Sequence, residues 1–139
     1  ISSPLQVPTA SPVMIEANFS GGANPDAGWG QMLAVGTSIS STTSNGSVDN
    51  GASSSAGWLA FLHVAQSAGA MGSNDWSIQI EHSSNDSDWS NLGSAFSLDG
   101  SAVGAEKNSG SGTVNRYVRV TATKTAGTDI VYWLNFIRL

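Results

Sequence analysis

The run Trp76-Ser77-Ile78-Gln79-Ile80-Glu81-His82 alternates apolar and polar side chains with a period of two. Successive side chains on a β-strand point to opposite faces, so Trp76, Ile78 and Ile80 share one face and Ser77, Gln79 and Glu81 the other. A helix would spread these same residues around its axis. A second run, Tyr117-Val118-Arg119-Val120-Thr121-Ala122, repeats the pattern with Val118, Val120 and Ala122 on one face. Between the two lies a polar turn, Ser83-Ser84-Asn85-Asp86-Ser87-Asp88, that leads to Trp89. Half-buried strands joined by polar turns, with no competing 3.6-residue period, predict an all-β chain.

Two further runs are apolar on both alternating faces. They are Gly57-Trp58-Leu59-Ala60-Phe61-Leu62-His63-Val64-Ala65 and Ile130-Val131-Tyr132-Trp133-Leu134-Asn135-Phe136-Ile137. Such strands are expected to be covered on both sides. Shorter strands are predicted at 13–19, 31–36, 47–49 and 95–98, the last ending at the hairpin signal Asp99-Gly100. Ala65 to Met71 reads as a loop because of Gly69 and its small neighbours. Strands at roughly ten-residue spacing with Gly- and Ser-rich turns predict an antiparallel β-sandwich or jelly roll over residues 13–139. Residues 1–12, with Pro4, Pro8 and Pro12, read as an extended N-terminal arm. One face of a doubly apolar strand packs inside the sandwich, and the other calls for the arm or another subunit. Leu5, Val7, Trp58, Phe61, Trp133 and Ile137 are therefore the expected core or contact residues.

Composition narrows the function. Of 139 residues, ten are acidic and five basic, so the net charge is −5. Neutralising phosphates needs clustered Lys and Arg, which argues against a nucleic-acid partner. The bases, Lys107, Arg116, Arg119, Lys124 and Arg138, read as solvated strand residues rather than one basic face. The absence of cysteine excludes disulfides, thiol catalysis and thiolate metal sites. No run approaches the ~20 apolar residues that span a bilayer, so no membrane partner is expected. The start at Ile1 rather than Met leads to the expectation of a trimmed product.

No catalytic, cofactor or metal constellation is visible. His63 and His82 lack ligand spacing and read as structural residues. Asp86 and Asp88 sit in an oxygen-rich loop but lack the bidentate Glu and Gly placement of an EF-hand, and Asx residues make turns with their own backbone. Glu16, Glu81 and Glu106 suggest no pair of acids flanking a cleft. Five tryptophans remain. Trp29 and Trp89 sit in loops; with Asn85, Asp86 and Asp88 they form a candidate surface for stacking on and hydrogen bonding to host-surface glycans.

Several segments resemble a domain of virion proteins from tailed bacteriophages. They are Val48-Asp49-Asn50-Gly51-Ala52-Ser53-Ser54-Ser55-Ala56-Gly57, Ala60-Phe61-Leu62-His63-Val64, Trp76 to Ser83, Asp88-Trp89-Ser90-Asn91-Leu92, Gly112-Thr113-Val114-Asn115-Arg116-Tyr117-Val118-Arg119 and Phe136-Ile137-Arg138. Together they span roughly two-thirds of the chain. In that family the domain forms the C-terminal half of a longer tail-tube-type polypeptide and is similar in outline to carbohydrate-binding sandwiches. Met14 to Leu33 resembles the end of the preceding tube domain and its linker. A full tube domain is missing, which leaves tail surface and capsid decoration both open. The resemblance implies a structural protein located in the virion, partnered by its own copies and by a tube or shell protein. It implies no catalytic or ligand residues. The expectation is thus a structural virion protein, with a carbohydrate-binding adhesion module as the alternative.

Overall fold

A computed structural model describes residues 30–66, 75–98 and 104–139. The expected arm, the 13–19 strand, Leu5, Val7, Trp29 and the Asp99-Gly100 turn lie outside the described residues. Ten strands occur within them: β1 (Gln31–Ile39), β2 (Thr43–Ser44), β3 (Val48–Asp49), β4 (Trp58–Gln66), β5 (Trp76–Ser83), β6 (Ser90–Asn91), β7 (Phe96–Leu98), β8 (Gly104–Gly110), β9 (Tyr117–Lys124) and β10 (Ile130–Arg138). They build two antiparallel sheets. Sheet A has the order β1-β10-β4-β8, and sheet B the order β2-β9-β5-β6, with β3 also on β9 and β7 also on β5. The described residues contain no helix, so the chain is an all-β, antiparallel sandwich.

The core lies where the inner faces of the sheets meet. Sheet A supplies Trp58, Ala60, Leu62 and Val64 from β4 and Ile130, Tyr132, Leu134 and Phe136 from β10. Sheet B supplies Trp76, Ile78 and Ile80 from β5 and Val118, Val120 and Ala122 from β9. The register aligns these sets, with Ile80 opposite Val120 and Leu134 opposite Leu62. Each side chain is removed from water on both flanks, and burial of this kind is the main stabilising force. The tryptophans illustrate its precision. Trp58 stacks on Phe136 with ring centroids 6.0 Å apart. Its indole also lies against Gly93 and Gly110, where added Cβ atoms would meet it at 2.5 and 2.6 Å. Trp76, fully buried, donates its indole N–H to the Thr128 carbonyl at 2.9 Å.

Three expectations require correction. First, β4 is not covered on both sides among the described residues: Trp58, Ala60, Leu62 and Val64 are buried, whereas Phe61 and His63 are exposed. Second, β8 was not anticipated, because Gly-Ala-Glu-Lys-Asn-Ser-Gly holds none of the usual strand formers. It is a strand because its backbone pairs with β4, Phe61 opposite Lys107. Third, β7 and β8 flank the Asp99-Gly100 signal but lie in different sheets, so they do not form a hairpin.

Gly93→Ala is expected to destabilise the fold by about 1–3 kcal/mol, since Gly93 combines a φ of 70° with the collision against Trp58. Gly46→Ala, which meets nothing within 4 Å, is expected to stay within about 0.5 kcal/mol of wild type. Urea denaturation of both variants checks the pair.

Candidate functional site

The outer faces of the two sheets differ in chemistry. On sheet B, β5 and β9 turn out Ser77, Gln79, Glu81, Arg119, Thr121 and Thr123. Three of these side chains, Glu81, Arg119 and Thr121, bond to one another. The Arg119 Nε–H donates to Glu81 Oε2 at 2.7 Å, and the Thr121 hydroxyl donates to the same oxygen at 2.8 Å. Ser44 and Thr121 share a further bond at 2.9 Å. Above this network the Arg119 guanidinium lies 4.1 Å from the centroid of the Trp89 ring, within cation–π range. Nearby, Arg116 forms a bidentate pair with Asp49 through Nε and Nη2, both at 2.7 Å. The guanidinium and the Gly51 amide hold the Asp49 carboxyl down at about 2. That pair is exposed, so water screens it and its net stabilisation is small.

Sheet A presents the opposite surface. Its register places Trp133 beside His63 and Val35, Ile137 beside Leu59, Asn135 beside Phe61 and Met32, and Val131 beside Ala65. The Trp133 and His63 rings lie 5.6 Å apart at a tilt of 47°. Val35 is 70% exposed, Phe61 44% and Met32 41%. Leu59, Val131, Trp133 and Ile137 are half-buried among them. Nothing among the described residues covers this face. Large apolar side chains gathered on one outward surface are a common mark of an interaction site.

Two irregularities in β1 build part of that surface. The pairing with β10 slips between Met32 and Ala34 and again between Val35 and Thr37. Strict alternation would separate Leu33 from Ala34, yet both are buried, and Met32 and Val35 both point out. The second slip falls at Gly36, which has a φ of 61°. A Cβ there would lie 2.5 Å from the Trp133 ring, so only glycine lets the indole lie flat across β1.

The expected contact residues therefore divide. Trp58 belongs to the core, whereas Phe61, Trp133 and Ile137 lie on the outer face of sheet A. Met32, Val35 and Leu59 join them without having been anticipated. The β4 period already pointed to Leu59, but the bulges concealed Met32 and Val35.

The expected glycan group is mainly a self-satisfied turn. Asn85 Oδ1 accepts from the Ser83 hydroxyl (2.9 Å) and from the amides of Ser87 (3.1 Å) and Asp88 (2.9 Å). Asn85 Nδ2 donates to Asp88 Oδ2 at 2.7 Å. Asp86 has a φ of 62°, which Asp tolerates better than most residues. Trp89 spends part of its ring on Arg119.

At one end of the sandwich, Arg138 turns inward from β10. Its Nη1 donates to the carbonyls of Ala52 (3.3 Å) and Val114 (3.1 Å), and its Nη2 to those of Asn115 and Arg116. One side chain thus ties the 52–54 and 114–116 connections together. His82 faces the same region and accepts the Asn115 amide on Nδ1 at 3.2 Å. No group of three or more His, Cys, Asp or Glu side chains that could hold a metal occurs among the described residues. None of their elements is a helix long and apolar enough to cross a membrane. No protein-family model, no curated protein and no solved structure matches this chain.

Burial, aided by the charge of Arg138, holds the His82 pKa below its usual 6.5. The unfolded chain therefore takes up a proton near pH 6.5 before the folded chain does. Stability contributed by the neutral imidazole is complete above that pH, falls as the pH drops through it, and levels off once the folded histidine also protonates. Urea midpoints measured from about pH 7.5 down to about pH 5 are expected to fall in the wild type and to change less in His82→Gln.

Proposed function

We propose that this chain is a structural protein of a tailed-bacteriophage particle, held on the tail or capsid surface through the outer face of sheet A. The observation that carries this reading is the exposed row Met32, Val35 and Phe61, set among the half-buried Leu59, Trp133 and Ile137. A face of this kind docks against a second copy or against a tube or shell protein by losing water. Stable contacts of that type bury more than ~1,000 Å² in total. The polar turns and the self-paired sheet B then face the medium. The resemblance to phage virion domains supports the setting, and the uncovered apolar face supports assembly as the task.

Sedimentation is expected to show self-association or co-migration with purified particles, and antibody labelling to place the chain on their surface. Phe61→Asp removes apolar contact worth about 1.5–3 kcal/mol, so association is expected to weaken roughly 10- to 100-fold with the melting temperature little changed. A wild-type chain that stays monomeric and never joins a particle would remove this reading.

A second reading, adhesion to host glycans, is favoured by the Trp89–Arg119 stack over the polar face of sheet B. It predicts that the wild type is retained on polysaccharide and that Trp89→Ala is not. No retention of the wild type would exclude it.

A further inference from the structure

A cleft opens on one side of the sandwich. β1 forms an edge of sheet A and, among the described residues, pairs only with β10. The facing edge of sheet B consists of the two-residue strands β2 and β3. Between these edges lies a space of about 410 Å³, lined by Leu33, Val35, Ile39, Asn45, Val48 and Tyr132 among others. Small-molecule sites run from about 300 to 1,000 Å³, so its size suits one compact molecule. Asn45, between β2 and β3, braces the walls. It donates to the Leu33 carbonyl of β1 at 2.7 Å, at the first slip of the β1 register.

Two observations define the chemistry that fits. First, none of the described side chains lining the cleft is charged. An ion taken out of water there would find no partner, so the ligand is neutral and mainly apolar. Second, Tyr132 is 2% exposed, yet its hydroxyl has no hydrogen-bond partner among the described residues. A buried tyrosine hydroxyl normally finds one. Burial pushes its pKa up to about 12, so near neutral pH the hydroxyl keeps its proton and has it to donate. The ligand therefore brings an acceptor.

We infer that the cleft binds a neutral, mainly apolar small molecule with a carbonyl-type oxygen, such as an aromatic ketone or a short acyl ester, and that this oxygen accepts the Tyr132 hydroxyl. The apolar body lies against Leu33, Val35, Ile39 and Val48. Binding removes apolar surface from water and gives the unpaired hydroxyl its bond. The Asn45 side chain spans from one sheet edge to the other and already occupies the Leu33 carbonyl, so the cleft favours a compact molecule over an added strand. Binding here does not require assembly through the outer face of sheet A.

Two matched probes test the site by NMR titration of the full chain. Benzophenone carries the acceptor, and diphenylmethane has a methylene group in its place. Benzophenone is expected to shift the methyl signals of Leu33, Val35, Ile39 and Val48 in a saturable way. In Tyr132→Phe its affinity is expected to fall roughly 3- to 10-fold, the loss of one neutral hydrogen bond, while that of diphenylmethane stays the same. Val48→Trp, at the half-buried rim, fills the cleft and is expected to abolish binding of both probes. The absence of saturable shifts at these methyls in the wild type overturns the inference, whether or not the variants fold. The same response of both probes to Tyr132→Phe, or wild-type binding by Val48→Trp, also overturns it. So do shifts at these methyls that appear on raising the protein concentration alone, which assign the cleft to a second copy.

Discussion

The packing of Trp58 is the constraint on which the rest of the sandwich depends. It opens β4, a central strand of sheet A, and its indole crosses toward Gly93, which follows the β5–β6 pair of sheet B. Gly110 at the end of β8 and Phe136 on β10 close around the same ring. One side chain thus sets the spacing of four segments, and both glycines are required because a methyl group would occupy the volume of the indole. With the sheets held at that spacing, the aliphatic rows of β4, β10, β5 and β9 interlock without polar partners. Arg138 holds the end of the sandwich by a different means. Its charge is costly to bury, and burial lowers its pKa, but four backbone carbonyls accept its protons.

The two outer faces follow from the same alternation and point to different uses. Sheet B turns out polar groups, of which Glu81, Arg119 and Thr121 bond to one another. Sheet A turns out Phe61, Trp133, Val35 and Met32, which gain nothing from water and which nothing among the described residues covers. This asymmetry sets the outer face of sheet A apart from that of sheet B, and β1 lies at the edge of that face. β1 carries Met32 and Val35, two of the three unexpected contact residues, outward.

Much of the candidate site could be read from residue order. Phe61, Trp133 and Ile137 follow from strands apolar at every position, because one domain cannot bury both faces of a strand within a single interface. Trp58 belongs to the same run but falls on the inner face, and its composition alone could not say so. The turn at Asn85 to Asp88 was legible as a turn because Asn and Asp bond to their own backbone. Met32 and Val35 were not legible. Their exposure depends on two bulges, and a bulge is a property of how β1 registers against β10. β8 was hidden for a related reason, since its polar residues become a strand only through the ladder that β4 offers.

Residue order by itself determined the all-strand character, the inward sets of β5 and β9, and the excess of apolar surface. These depend on side-chain period and polarity, which are local. Only the tertiary structure decided which strands share a sheet, which of two apolar faces is buried, and where β1 breaks its alternation. Those outcomes depend on pairings between residues far apart in the chain, and backbone hydrogen bonds carry no side-chain signature that a linear pattern could reveal.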